Sequence, residues 1–220
     1  MNLNLQTTLH LIADPLCGWC FGAEPLLRSS EALPGLNIQL HLGGLFSSPN
    51  NQTINQEMRR FISTHHERIS QLSGQIPGKK FFDLLNSEAV VLDSSPPIRA
   101  ILAAEKINAD VLPYYHAIVD AHFMDGRRIA EEHTLREIAA ESGMEMTSFQ
   151  QSFDSLSAAQ VDQHIRESRD LMQAVGGRGF PTFVLELDGQ RQLLNHQSFY
   201  HDPLGWQETL RTLMNPQITH

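Results

Sequence analysis

Cysteine is scarce in this chain, long apolar runs are missing, and positive charge is outnumbered. Two cysteines among 220 residues cannot build a disulfide scaffold. No stretch of eighteen or more apolar residues occurs, so no segment reads as a membrane-spanning helix. Sixteen Lys and Arg stand against twenty-five Asp and Glu, a formal charge of −9. That balance excludes the basic surface on which nucleic-acid recognition depends. The opening MNLNLQTTLHLIADP has no basic stretch and no small-residue cleavage site, so a secretory signal is not expected and a reducing, cytoplasmic address is. No G-x-S-x-G, P-loop or H-E-x-x-H occurs, and GGRG lacks the lysine and spacing of a phosphate cradle.

What is present is concentrated. Both cysteines lie in LCGWCFG, residues 16–22, as Cys17-Gly18-Trp19-Cys20. Such a pair serves as a redox centre, as half of a metal site, or as a staple. A structural zinc site asks for about four ligands. There is no second cysteine pair, and none of the 11 histidines forms a pair in a compact finger-like context. His116 with Asp120 and His133 with Glu137 share i,i+4 spacing, which reads as two solvated helix faces. No metal is therefore expected. The pair follows LHLIAD, a short apolar run that reads as a buried strand broken at Asp14-Pro15. After it, FGAEPLLRSSEAL suits a helix kinked near Pro25. The cysteines thus fall in a strand-to-helix turn, where unpaired backbone N–H groups favour a thiolate and the i,i+3 spacing brings the two sulfurs together. By position, Cys17 is the exposed nucleophile and Cys20 the buried resolving thiol; Asp14, Pro15 and Gly18 support the motif. A chance pair of ordinary buried cysteines is the competing reading.

A second strand follows at LNIQLHLGG, residues 36–44. FPTFVLEL, the Asp188-Gly189 turn and RQLLNH then read as a hairpin, and DPLGWQETLRTLM as an amphipathic helix opened by a capping aspartate. Between them, residues 46–175 carry helical periodicity broken by Gly, Pro and Ser. The order β-α-β, then β-β-α, is the thioredoxin arrangement, an α/β fold. Residues 1–45 and 176–220 form the thioredoxin-like domain, and 46–175 an all-helical insertion. Phe180-Pro181, at the head of a strand, suits a cis peptide beside the pair, although a trans proline opening an edge strand satisfies the same residues.

Four stretches, ADPLCGWCFGAEPLL, LDSSPPIRAILAAE, AHFMDGRRIAEEHTLREIAAESG and GGRGFPTFVLE, resemble the DsbA family of thioredoxin-like oxidoreductases and, within it, the cytosolic FrnE-like branch. The likeness runs from residue 13 to residue 186. It implies a catalytic Cys17–Cys20 pair, a cis-Pro181 beside it, and exchange of disulfides with protein or small-molecule thiols. No cofactor is implied beyond the pair itself, with glutathione or a thioredoxin-type protein as reductant. Trp19 and Phe180 are expected to wall the substrate groove with Pro181. The strongly oxidising periplasmic members carry a histidine beside the second cysteine, whereas Gly18-Trp19 supplies no cation, so a reductase or isomerase is expected rather than a strong oxidant. Two alternatives share these residues. Kappa-class glutathione transferases and hydroxychromene carboxylate isomerases have this fold but usually place serine at the first position. A redox-switched chaperone would use the helical block as its groove.

Overall fold

The computed structural model describes residues 7–215. The first strand, β1 (Thr7–Ala13), is buried along its whole length, as an apolar run enclosed on both faces must be. It leads into α1 (Gly18–Gly22) and α2 (Glu24–Glu31), which are separated at Ala23, two residues before Pro25. The kink expected near this proline falls there. The chain returns as β2 (Leu36–Leu42), parallel to β1 with Leu11 opposite Leu40.

The inserted block was read as purely helical, and it contains one exception: β3 (Gln52–Thr53) pairs antiparallel with β4 (Val91–Leu92). Around this ribbon lie α3 (Gln56–Ser73), α4 (Lys79–Leu85), α5 (Ser95–Lys106), α6 (Val111–Phe123), α7 (Glu132–Glu141), α8 (Met146–Ser155) and α9 (Ala158–Ala174). Helices α4 and α8 were not legible in the periodicity. Helix α4 is seven residues long, and α8 is started by the Glu145 side chain, which accepts from the N–H groups of Thr147 and Ser148. The block also reaches back to the sheet. Helix α3 packs on α1, and α9, inside the inserted segment by sequence, packs on β1 and β2.

β5 (Thr182–Leu187) then lies antiparallel to β1, and β6 (Gln190–Leu193) antiparallel to β5, completing the order β2-β1-β5-β6. The hairpin turn sits where the sequence places it. Asp188 (φ 51) and Gly189 (φ 77) are both left-handed, the geometry a two-residue turn needs between right-twisted strands. The last helix, α10 (Pro203–Met214), is capped by Asp202, which accepts from the Gly205 N–H. Trp206 locks it down: the indole is 1% exposed, packs edge-on against Phe183, and donates from Nε1 to Ser30 Oγ at 2.8 Å.

Truncating Trp206 to Ala removes that hydrogen bond and leaves a large void between α2, β5 and α10. The expected cost is about 4 kcal/mol of unfolding free energy in denaturant titration. A loss under about 1 kcal/mol would show that α10 contributes little to the sheet layer.

Candidate active site

The β1–α1 turn is held by one carboxylate. Asp14 is fully buried, and its Oδ1 accepts from the Leu16 N–H (2.9 Å) and the Ser94 hydroxyl (3.0 Å), while Oδ2 accepts from the Leu45 N–H (2.7 Å). Ser94 in turn accepts from the Phe46 N–H at 3.0 Å. Three segments therefore converge on Asp14: its own turn, the loop after β2, and the start of α5. Burial pushes the carboxyl up to about 6, against the opposing pull of these hydrogen bonds and of Arg169. Arg169 itself donates to the carbonyls of Gly43 and Gly44, both at 2.6 Å, and so pins the same loop from α9.

Cys17 is the N-cap of α1 in extended conformation, and its carbonyl accepts from the N–H groups of Cys20 (3.0 Å) and Phe21 (3.1 Å). Both cysteines are free thiols. The expected contrast in exposure is absent: Cys17 is 5% and Cys20 4% exposed. The reason is the cover over Cys17. The backbone of Phe180 comes close to it, with the Cys17 Sγ donating to the Phe180 carbonyl at 3.7 Å. The two thiols differ instead in what they face. Cys17 lines an open groove of about 710 Å³, whereas Cys20 lines a small enclosed space on the other side of α1. Burial pushes the Cys20 thiol well above its ordinary range, and the hydrogen bond and charge of Cys17 push it further.

The residues expected around the pair are brought together. The Phe180–Pro181 peptide is cis, and Pro181 borders the enclosed space with Cys20. A second cis bond, Ser48–Pro49, had no signal in the sequence reading. Trp19 and Phe180 wall the Cys17 groove, and both also wall a second groove of about 780 Å³ that reaches Arg68, Arg178 and Tyr200. Trp19 is half-buried rather than exposed, because its indole packs against the Tyr200 ring with centroids 5.9 Å apart. Phe180 can lie so low only because residue 43 is glycine: a Cβ there would sit 2.1 Å from Cζ of the ring.

Several site residues gave no signal in sequence. The far wall of the Cys17 groove comes from α3, with Met58, Phe61 and Ile62. His66 on the same helix is buried against the redox motif itself. A Cβ on Gly18 would lie 2.9 Å from its Nε2, so Gly18 is the opening into which this ring fits. The solvated face expected of His116 is a correction. It is buried on α6 and joins two acids on α2, Nδ1 to Glu24 Oε2 at 2.6 Å and Nε2 to Glu31 Oε1 at 2.7 Å. Its i,i+4 neighbour Asp120 pairs with Arg28 instead. His133 is exposed, as expected. Among the described residues no group of three or more His, Cys, Asp or Glu is arranged to hold a metal, and no helix is long and apolar enough to cross a membrane.

The profile of the DSBA-like thioredoxin domain matches residues 8–201. The chain belongs to this family. It is a thiol–disulfide oxidoreductase of the DsbA type, with the thioredoxin fold and helical insertion that the family carries. Among solved structures it is similar to the cytosolic disulfide reductase DsbM from Pseudomonas aeruginosa, with 40% identity, a TM-score of 0.88, and coverage of 95% of this chain and 99% of that one. The structure of DsbM with GSH aligns at 39% identity and a TM-score of 0.84, covering 94% of this chain and 98% of that one. A candidate protein disulfide isomerase from Nitrosomonas europaea shares the fold at 23% identity and a TM-score of 0.77, covering 97% of this chain and all of that one. No curated protein sequence matches the chain.

Asp14 supplies a pH-dependent prediction. Its folded carboxyl titrates near 6 against an ordinary 3.8. Below the ordinary value both folded and unfolded states hold the proton, and above 6 both have lost it. Between them only the folded state keeps it, so stability falls as pH rises through this window, by about 3 kcal/mol. The advantage of the parent over Asp14→Asn should shrink by that amount from pH 4 to 6 and stay level above. A flat difference across the window would show that the carboxyl titrates normally.

Proposed function

We propose that the chain is a disulfide reductase that works with glutathione in a reducing, cytosolic setting. One observation carries this reading: near-complete alignment with a cytosolic disulfide reductase, DsbM, at 40% identity. A structure of that relative with GSH supports glutathione as the small thiol. In the proposed cycle, Cys17 attacks a substrate disulfide from the open groove and forms a mixed disulfide. Cys20 then displaces the substrate thiol, forming the Cys17–Cys20 disulfide, and two glutathione molecules restore the dithiol while becoming one glutathione disulfide. Electrons pass from glutathione to substrate, and no bound cofactor takes part. Trp19 and Phe180 serve as the walls that receive the substrate, and Pro181 borders the pair from below.

The sequence of the pair supports this direction. The dipeptide Gly18-Trp19 supplies no positive group. A weakly stabilised thiolate gives a reducing couple, so equilibration with glutathione buffers should return a potential nearer about −270 mV than the roughly −120 mV of a strong oxidant. Insulin should be reduced with glutathione as the electron source, and Cys20→Ser should accumulate a glutathione adduct on Cys17. A potential above about −180 mV would overturn the reductase assignment. Glutathione conjugation to an electrophile without disulfide reduction would favour the transferase alternative.

The groove walls give a separate expectation. Trp19→Ala should raise KM for a protein disulfide about fivefold, the worth of one aromatic contact. Reaction with a small disulfide should change little. Equal losses with both substrates would assign Trp19 a role in holding the motif rather than the substrate.

A further inference from the structure

The Phe180 ring rests against the end of β2, and one helix holds that end in place. β2 closes at Leu42, and the chain continues through Gly43, whose missing Cβ leaves room for the ring, and Gly44. Gly43 is also tied to the residue before Asp14, its N–H donating to the Ala13 carbonyl at 2.9 Å. From α9, Arg169 donates to the carbonyls of Gly43 and Gly44, and His164 Nε2 accepts from the Leu42 N–H at 3.1 Å. The same helix lends Met172 and Gln173 to the wall of the Cys17 groove, whereas His164 lines neither groove. The seat of α9 on this strip therefore sets the shape of the groove.

The Leu42 contact has a fixed direction. β2 is an edge strand, so an N–H that faces away from β1 finds no partner in the sheet. Leu42 is 1% exposed, which leaves little water for such a donor, and the imidazole takes that place. A backbone amide only donates, so His164 Nε2 must present its lone pair and carry the ring proton on Nδ1. An imidazolium would set two N–H groups against each other, and the bond would be lost. Arg169, by contrast, keeps its charge throughout the working range of pH. Of the two anchors, only His164 can be switched by a proton.

We propose that His164 is a positioning residue for disulfide exchange: its neutral ring latches α9 to the end of β2, and uptake of a proton opens the latch. This rests on the reductase reading given above. The groups that face His164 are mixed in charge. His41 of β2 is hydrogen-bonded to His10 of β1 at 2.9 Å, and behind His10 stand Glu186 of β5 and its partner Arg191 of β6. Glu105 of α5 lies across a small cavity, and Glu167 is one turn further along α9. Burial lowers the His164 pKa from its ordinary 6.5, against the opposing pull of Glu167. The folded state thus excludes a proton that the unfolded chain binds. The latch contributes fully above the ordinary value, and its contribution falls as pH drops below it. Once it opens, the wall carrying Met172 and Gln173 can shift relative to Cys17. A long substrate spanning the groove meets that wall, whereas a small disulfide needs only the sulfur.

The test compares insulin with hydroxyethyl disulfide. Reduced protein is mixed with excess disulfide and oxidation of the pair is followed through one turnover, which separates the half-saturating concentration from the limiting rate. His164→Leu, with no acceptor for Leu42, should raise the half-saturating insulin concentration about fivefold at neutral pH, the scale of one neutral hydrogen bond, with the limiting rate kept. His164→Gln, whose Oε1 accepts and does not titrate, should recover most of that loss. At about pH 5, below the ordinary histidine range, the parent should move toward the Leu variant while the Gln variant holds its value. Hydroxyethyl disulfide should not distinguish the three proteins. Without any variant, the Leu42 amide resonance of the parent should shift on acidification with a midpoint below 6.5. An amide unmoved by acid, a parent and Gln variant that weaken together, or equal losses with both disulfides would overturn the proposal. Failure of glutathione to restore the oxidised pair would instead overturn the reductase reading, while the insulin titrations and the Leu42 amide still decide the latch.

Discussion

A carboxylate shut away from solvent must find its donors inside the protein, and Asp14 draws its three from separate parts of the chain. That requirement organises the active site. The turn carrying Cys17 cannot shift without breaking the Leu16 contact, the loop after β2 cannot lift without losing Leu45, and the start of α5 is tied in through Ser94. The helical block is therefore coupled to the redox turn by hydrogen bonds, and not merely laid against it. Arg169 adds a cationic anchor from α9 to the same loop. Each of these contacts is buried or partly buried, where a lost partner costs more than a surface pair would.

The two faces of α1 then divide the work. Above it lies a broad, largely apolar groove, with the Cys17 sulfur at its floor and aromatic rings on both sides. Below it lies a dry, closed space in which Cys20 meets Pro181 and Glu24. The first has room for a substrate, whereas the second cannot admit even a water molecule. One short helix, only five residues long, keeps them apart. Glycines allow this packing: Gly43 leaves room for the Phe180 ring, and Gly18 lets His66 press against the motif.

How much of this could be read from sequence depended on whether the signal was local. The CxxC pair, the strand before it, the Asp188-Gly189 turn and the Asp202 cap are all short-range patterns, and each lies where its residues place it. Trp19 and Phe180 were legible for the same reason, as neighbours in sequence of Cys20 and Pro181. Contacts between distant segments left no such trace. His116 and Asp120 looked like a solvated helix pair because nothing in α6 announces that Glu24 and Glu31, about ninety residues earlier, will close over it. The cover over Cys17 likewise involves a backbone carbonyl, that of Phe180, 163 positions away along the chain. Helix α4 was too short for periodicity to show.

The contribution of α3 to the groove has a consequence for how such a protein can change over time. Met58, Phe61 and Ile62 form one wall, yet they belong to the inserted segment and to no strand of the sheet. Phe61 is 56% exposed, so its replacement disturbs little of the interior. His66 and Ile69, one and two turns further along, face inward and keep the helix seated on α1. His66 and Ile69 line the same groove as Met58, Phe61 and Ile62, so one helix serves both the groove wall and the contact with the redox motif. Exposed positions such as Phe61 are free to vary while the buried ones keep the helix in place, which makes this insertion a site of evolvability within an otherwise constrained frame.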